Sequence, residues 1–147
     1  MEKGFSQSAV KILDAAHIKA KRDRALRISV YNVLVALLED SSLQKSFATL
    51  GIDRRKARKL FKSEQFKQHL EKASKPPSGT EFTTGVKDAL EEALRKAASQ
   101  ERNAEAVDIL YGILRTANKL GSLFEILEIP DDTDIESLYS DKASIVS

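Results

Sequence analysis

A chain of 147 residues, 41% hydrophobic and 31% charged, is long enough to bury a core of its own and suits one domain or two tightly joined halves. The absence of cysteine and tryptophan excludes disulfide frameworks, thiolate metal sites, iron–sulfur clusters and a cysteine nucleophile. Net charge is only +2, yet residues 1–79 hold 17 basic and 8 acidic side chains (net +9) while residues 80–147 hold 7 and 14 (net −7), so the chain is dipolar and can steer charged partners toward one face.

Met1 to Phe5 lacks the apolar core of a signal peptide, and no stretch approaches the roughly 20 apolar residues of a membrane span. A soluble protein is expected, with no membrane partner, in the cytoplasm or an organellar stroma or matrix.

The first predicted helix follows Phe5-Ser6, an apolar residue and a hydroxyl N-cap, and carries Val10, Leu13, Ala16 and Ala20 at helical spacing. Val10 is placed to staple against Phe5. The second, Val30 to Glu39, is apolar nearly all round, which suits the middle of a bundle; Ser29 is its expected cap. A short third helix spans about Leu43 to Leu50, with Gly51 suited to the left-handed position after its end. Asp53 is expected to cap a fourth helix, "RRKARKLF", with Leu60 and Phe61 facing inward, and "EQFKQHLEKA" to extend it. The prolines and glycine of "SKPPSGT", residues 74–80, break helix and mark a connector.

The order then repeats. Phe82-Thr83 opens a helix bearing Val86, Ala89, Leu90, Ala93, Leu94 and Ala97; Ala106 to Arg115 is a second apolar helix with Asn103 as its expected cap. Leu120 to Glu128, stopped by Pro130, and Asp131 to Tyr139 complete the set. Phe5 aligns with Phe82 and Leu13 with Leu90 at an offset of 77, "YNVLVALLED" lies over "VDILYGILRT" at 76, and "LGID" lies over "LEIP" at 77 again. No period-two alternation persists, so no sheet is expected. The fold class is all-α: two four-helix motifs related by a pseudo-twofold, about eight helices in one domain. Repeat one covers about 5–73, the linker 74–80, repeat two about 81–139, and a tail 140–147.

These paired elements resemble the double Clp N-domain found at the amino end of Clp/Hsp100 AAA+ unfoldases of the ClpA, ClpB and ClpC type. That family reads Phe-Thr, an Ala-rich helix, then "I-G-T-E-H-L-L-x-G-L-L-x-E", then "L-G-V-D". Here copy one reads "FS", "ISVYNVLVALLED" and "LGID", and copy two reads "FT", "AEAVDILYGILRT" and "LEIP". The resemblance implies a non-catalytic domain that receives substrate or adaptor proteins for a Clp AAA+ ATPase ring in cis or in trans, or a free-standing Clp accessory. Tyr31-Asn32 and Val107-Asp108 stand where the family has Glu-His, and become the candidate partner-binding residues. In ClpC-like relatives those glutamates help hold phosphoarginine; Tyr31 and Val107 cannot, so that activity is not carried over.

No catalytic constellation competes with this reading. "GTEFTTGVKD" fails as a phosphate loop because five residues separate its glycines and Asp88 stands where a magnesium-binding hydroxyl is needed. His17 and His69 lie in separate helices without metal-ligand spacing, and neither "E-E" at 91–92 nor "D-D" at 131–132 can face one reacting group from a helix. No cofactor and no metal are expected. The runs "KAKRDRALR" and "DRRKARKLFK" offer Arg22, Arg24, Arg54 and Arg55 as a basic docking patch for an acidic protein. Nucleic acid, contacted through these residues with Lys21 and Lys56, is the alternative partner, disfavoured because Asp interrupts both runs and the acidic second half repels a polyanion.

Overall fold

Each copy begins with an alanine-rich helix of 16 residues, α1 (Gln7–Arg22) in the first and α5 (Thr84–Ser99) in the second. The structure is a computed structural model and describes residues 4–22, 27–61, 81–117 and 135–139. Between the two helices lie β1 (Arg27–Ile28), α2 (Val30–Leu38), a 3-10 turn (Ser41–Leu43), α3 (Gln44–Thr49), α4 (Arg54–Phe61) and β2 (Glu81–Phe82). After α5 come α6 (Ala106–Ala117) and a 3-10 helix, Ile135–Tyr139. The predicted extension of α4, the connector, the Leu120–Glu128 helix, the start of the Asp131–Tyr139 segment and the tail fall outside the described residues.

The buried stripe of α1 is Ala9, Ile12, Ala16 and Ala20, and that of α5 is its counterpart at offset 77: Val86, Ala89, Ala93 and Ala97. Val10, expected on this face, is instead 43% exposed. At about 100° per residue it lies roughly a quarter turn from the stripe, too far to staple Phe5 to the core. The expected N-caps of this pair form: the Ser6 hydroxyl accepts from the Ala9 amide at 3.4 Å and the Thr83 hydroxyl from the Val86 amide at 3.3 Å.

Against these helices lie the two apolar ones, α1 on α2 and α5 on α6, and the pairs meet through α1–α6, α2–α5 and α2–α6 contacts. Val33, Leu34, Leu37 and Leu38 of α2 and Ile109, Leu110, Ile113 and Leu114 of α6 are at most 2% exposed, so truncating any one to alanine should destabilise by about 2–5 kcal/mol. Ser29 starts α2 with a capping box: Asn32 accepts the Ser29 amide at 2.9 Å while the Ser29 hydroxyl accepts the Asn32 amide at 3.4 Å. The cap of α6 is not Asn103. The Glu105 carbonyl takes the Ile109 amide and Asp108 accepts the Glu105 amide at 2.7 Å; the hydroxyl cap comes from the other copy, where Ser8 of α1 accepts the Ala106 amide at 3.2 Å.

Where no sheet is expected, two short backbone pairings form. Phe5 bridges Ala104 in parallel, with the Ser6 amide donating to the Ala104 carbonyl at 2.8 Å. β1 pairs β2 in parallel, and the Thr83 amide donates to the Ile28 carbonyl at 3.0 Å. At the repeat offsets these are one contact written twice with the copies exchanged, as an isologous twofold requires. Two residues per strand build no sheet layer, and the class stays all-α.

Two helices end in Schellman motifs, the first at the Gly51 stop expected from the sequence. At the end of α3 the Ile52 amide reaches the Phe47 carbonyl (2.9 Å) and the Gly51 amide the Ala48 carbonyl (3.0 Å), with Gly51 at φ +77°. At the end of α5 the same bonds run from Arg102 to Ala97 and Glu101 to Ala98, but the left-handed position holds Glu101 at φ +55°. The Asp53 carboxylate caps α4 through the Arg55 and Lys56 amides, as expected.

Glu101→Gly should raise stability by about 0.5–1 kcal/mol, because relief of left-handed strain exceeds the added freedom of the unfolded chain; an unchanged urea midpoint would contradict this. Gly112 lets α5 and α6 approach closely, since an added Cβ would fall 2.1 Å from the Ala89 carbonyl oxygen. Gly112→Ala is expected to destabilise by about 1–3 kcal/mol through forced separation of two backbones, read as a lowered Tm at constant m-value.

Candidate functional site

Two of the clefts on the described surface adjoin the candidate residues. The first, about 440 Å³, lies between α1, α2 and α4. Its walls follow from helical spacing: Ala15, Ile18, Lys19 and Arg22 form one stripe of α1, and Tyr31, Val35, Leu38 and Glu39 one stripe of α2, with Arg58 of α4 at the side. Ile18, 57% exposed, is the most open large apolar side chain among the described residues. Lys19 places its ammonium 5.9 Å from the centre of the Tyr31 ring.

The equivalent surface of the second copy is closed by charge. Glu92, twin of Ala15, pairs with Arg95 at 2.5 Å and Arg115 at 3.3 Å. Lys96, twin of Lys19, pairs with Glu136 at 2.5 Å and sits 5.1 and 4.8 Å from the centres of the Tyr111 and Tyr139 rings. Tyr111, twin of Val35, donates to Glu136 at 2.7 Å and meets Tyr139 edge-on at 5.6 Å. The two copies thus carry one groove, filled in the second and open in the first.

The second cleft, about 360 Å³, lies between the copies, bounded by Ser8, Ser42, Leu43, Lys45, Ser46 and Thr49 of the first and by Glu105, Ala106, Val107 and Leu138 of the second. Val107 is half-buried there, and its twin Tyr31, only 5% exposed, lines the first cleft. Asn32 and Asp108 reach neither surface: at 2% and 0% exposure both are occupied at helix starts. The four candidates therefore do not form one site. Of the basic patch, Arg22 lines the first cleft and Arg55 is exposed on α4. Arg54 is held inward, its Nε 3.0 Å from the Leu38 carbonyl and its Nη2 on the same oxygen, where it closes the end of α2. Arg24 lies outside the described residues.

Sequence reasoning missed Ile18. The available signal was Ile18 itself, an isoleucine half a helical turn away from the buried stripe of α1. Among the described residues no group of three or more His, Cys, Asp or Glu side chains could hold a metal ion, and no helix is long and apolar enough to cross a membrane.

Asp108 anchors a polar network in the second copy. Its carboxylate takes Arg102 in a bidentate pair (2.5 and 2.9 Å), the Glu105 amide at 2.7 Å and the Tyr139 hydroxyl at 2.6 Å. Burial raises its pKa, but the hydrogen bonds from Arg102, the Glu105 amide and Tyr139 outweigh burial and hold it below the ordinary carboxylate range. The Tyr139 phenol is pushed far up, by burial first and then by the Asp108 carboxylate it donates to. A lowered folded-state pKa supplies stability that is present above the unfolded carboxylate value and lost as pH falls through the folded one. Asp108→Asn keeps the helix-start acceptor, as Asn32 does in α2, but loses the ion pair. It should destabilise by about 1–3 kcal/mol at neutral pH, with the gap to wild type narrowing below about pH 4; a gap constant down to acid unfolding would contradict this.

The sequence profile described as the Clp repeat (R) N-terminal domain matches residues 4–126. No curated protein sequence matches. Among solved structures, the Hsp104 N-terminal domain from Candida albicans superposes with a TM-score of 0.74 at 17% identity, covering 96% of this chain and 93% of that one. The N-terminal domain of the chaperone ClpD from Arabidopsis thaliana gives 0.64 at 14% identity over 100% of both chains. The N-domain of ClpV from Vibrio cholerae gives 0.61 at 20% identity, covering 98% of this chain and 85% of that one. At such identities the superpositions establish the shared all-α fold, and the profile match over most of the sequence establishes kinship: the chain belongs to the Clp repeat N-terminal domain family.

Proposed function

We propose that the chain is a non-catalytic protein-binding domain that docks substrate or adaptor proteins for a Clp/Hsp100 AAA+ unfoldase, in cis or as a free-standing accessory. The observation that carries this reading is the open first cleft, where Ile18, Ala15 and Val35 offer apolar surface between two rigid helices. A concave, partly apolar surface on packed helices suits capture of a protein segment. Membership in a family whose solved relatives are N-domains of Clp and Hsp104 proteins supports association with such a ring. We take the working unit to be one domain, with repeat one about 5–73, a linker 74–80, repeat two about 81–139 and a tail 140–147.

A second reading rests on α4, whose Arg55, Lys56, Arg58 and Lys59 all face solvent and could meet phosphates. The two separate in one titration. Fluorescently labelled, permanently unfolded casein is expected to bind saturably at physiological salt, and a Clp ATPase ring stripped of its own N-domains to regain client delivery when this chain is supplied. Failure with casein, adaptors and ring alike would remove the docking role. Duplex DNA should bind only at low salt; retained DNA affinity with a steep salt slope would favour the nucleic-acid reading instead.

A further inference from the structure

The internal repeat makes the second copy a template for what the first cleft lacks. In the second copy the groove along α5 and α6 holds the Ile135–Tyr139 turn, whose Glu136 carboxylate lies between Lys96 and Tyr111 and whose Tyr139 ring packs on Tyr111. It is thus filled by an acid next to an aromatic ring. In the first copy the twin of Glu136 is Lys59, the twin of Tyr111 is Val35 and the twin of Glu92 is Ala15. Two carboxylates and a ring have been exchanged for a cation and two smaller apolar groups. In the second copy's groove Lys96 pairs with Glu136 and Arg115 with Glu92. Lys19, Arg22 and Arg58 together line the first cleft, with Glu39 the one carboxylate among its described lining residues.

Resting on the docking role proposed above, we propose that this cleft receives a short segment of a partner protein that carries a carboxylate beside an aliphatic or aromatic side chain, the chemistry that Glu136 and Tyr139 supply internally in the second copy. The carboxylate lies toward Arg22 and Arg58, and the apolar group on Ile18, Ala15 and Val35. From Ala15 to Arg22 the α1 wall runs about 10 Å, which admits about three residues of extended chain. Charge complementarity selects an acidic segment over a basic one, and the apolar floor selects a peptide over a bare polyanion.

The test is fluorescence anisotropy with a labelled peptide alternating glutamate and leucine, against the whole chain. Arg22, Arg58 and Ile18 are exposed, so the double variant Arg22→Glu/Arg58→Glu and the single variant Ile18→Ser should keep native circular dichroism. The double variant is expected to weaken binding by about tenfold or more and Ile18→Ser by several-fold. Lys45→Glu, a charge reversal in the other cleft, should leave binding unchanged. Equal binding by wild type and the double variant overturns the proposal. So does equal affinity for a lysine–leucine peptide, full competition by a glutamate–serine peptide or duplex DNA, or self-association in sedimentation that the double variant abolishes, which would make a second copy of this chain the occupant. Casein binding unaffected by these cleft variants would overturn the cleft assignment while leaving the docking role standing; loss of casein binding by the wild type would instead strike the docking role itself.

Discussion

A reciprocal exchange of backbone hydrogen bonds holds the two copies in register. The segment before the first helix of each copy pairs with the segment before the second helix of the other: Phe5 with Ala104, and Phe82 with Ile28. These are the points where four helices start, so satisfying their orphan amides and joining the copies become one task. Ser8 extends the exchange by capping α6 from α1, and at the twin position Gly85 leaves the Val30 side chain room, 3.3 Å from where a Cβ would lie. With the helix starts placed in this way, α2 and α6 must lie side by side at the pseudo-twofold. Their nearly all-round apolar surfaces are buried because each faces its own alanine-rich partner and the other copy.

Duplication then allows the halves to diverge without disturbing the frame. The second copy is stabilised from outside its core by Arg102, Asp108, Lys96, Glu136 and the Tyr111–Tyr139 pair, whose mutual hydrogen bonds offset the desolvation of a fully buried carboxylate. The first copy has Ala15 and Val35 where the second has Glu92 and Tyr111, and a cleft of about 440 Å³ lies beside them. The opposed charges of the two halves, evident in composition, thus coincide with a structural difference. Negative charge in the second copy is partly consumed in internal pairs, whereas positive charge in the first lines a surface.

The helix-start dipeptides show why a functional site is harder to read than a core. Tyr31-Asn32 and Val107-Asp108 occupy equivalent places, yet the two residues of each pair differ in fate. The second position, Asn32 or Asp108, turns back to the amide of its helix cap and is sealed from solvent; the first, Tyr31 or Val107, turns toward a cleft. Sequence spacing placed all four at helix starts but could not tell the capping side chain from the outward one. Arg54 is a similar case: its neighbours on α4 face water, and its guanidinium instead closes the end of α2, a contact 16 residues away in sequence.

Among the described residues, the amino-acid sequence by itself determined the twofold repeat, the order of helices, most of their caps, the Gly51 stop and the apolar character of α2 and α6. These are properties of neighbouring residues: periodicity, hydroxyl or carboxylate caps and a glycine in the left-handed region act within about one helical turn. Only the tertiary structure decided that Ala9 and Ile12 displace Val10 from the core face, that Glu105 and the distant Ser8 cap α6 in place of Asn103, and that two backbone pairings tie the copies together. It also decided which copy keeps an open groove, because an ion pair or a filled cleft depends on side chains brought together from elements far apart in the chain, and local pattern carries no record of that approach.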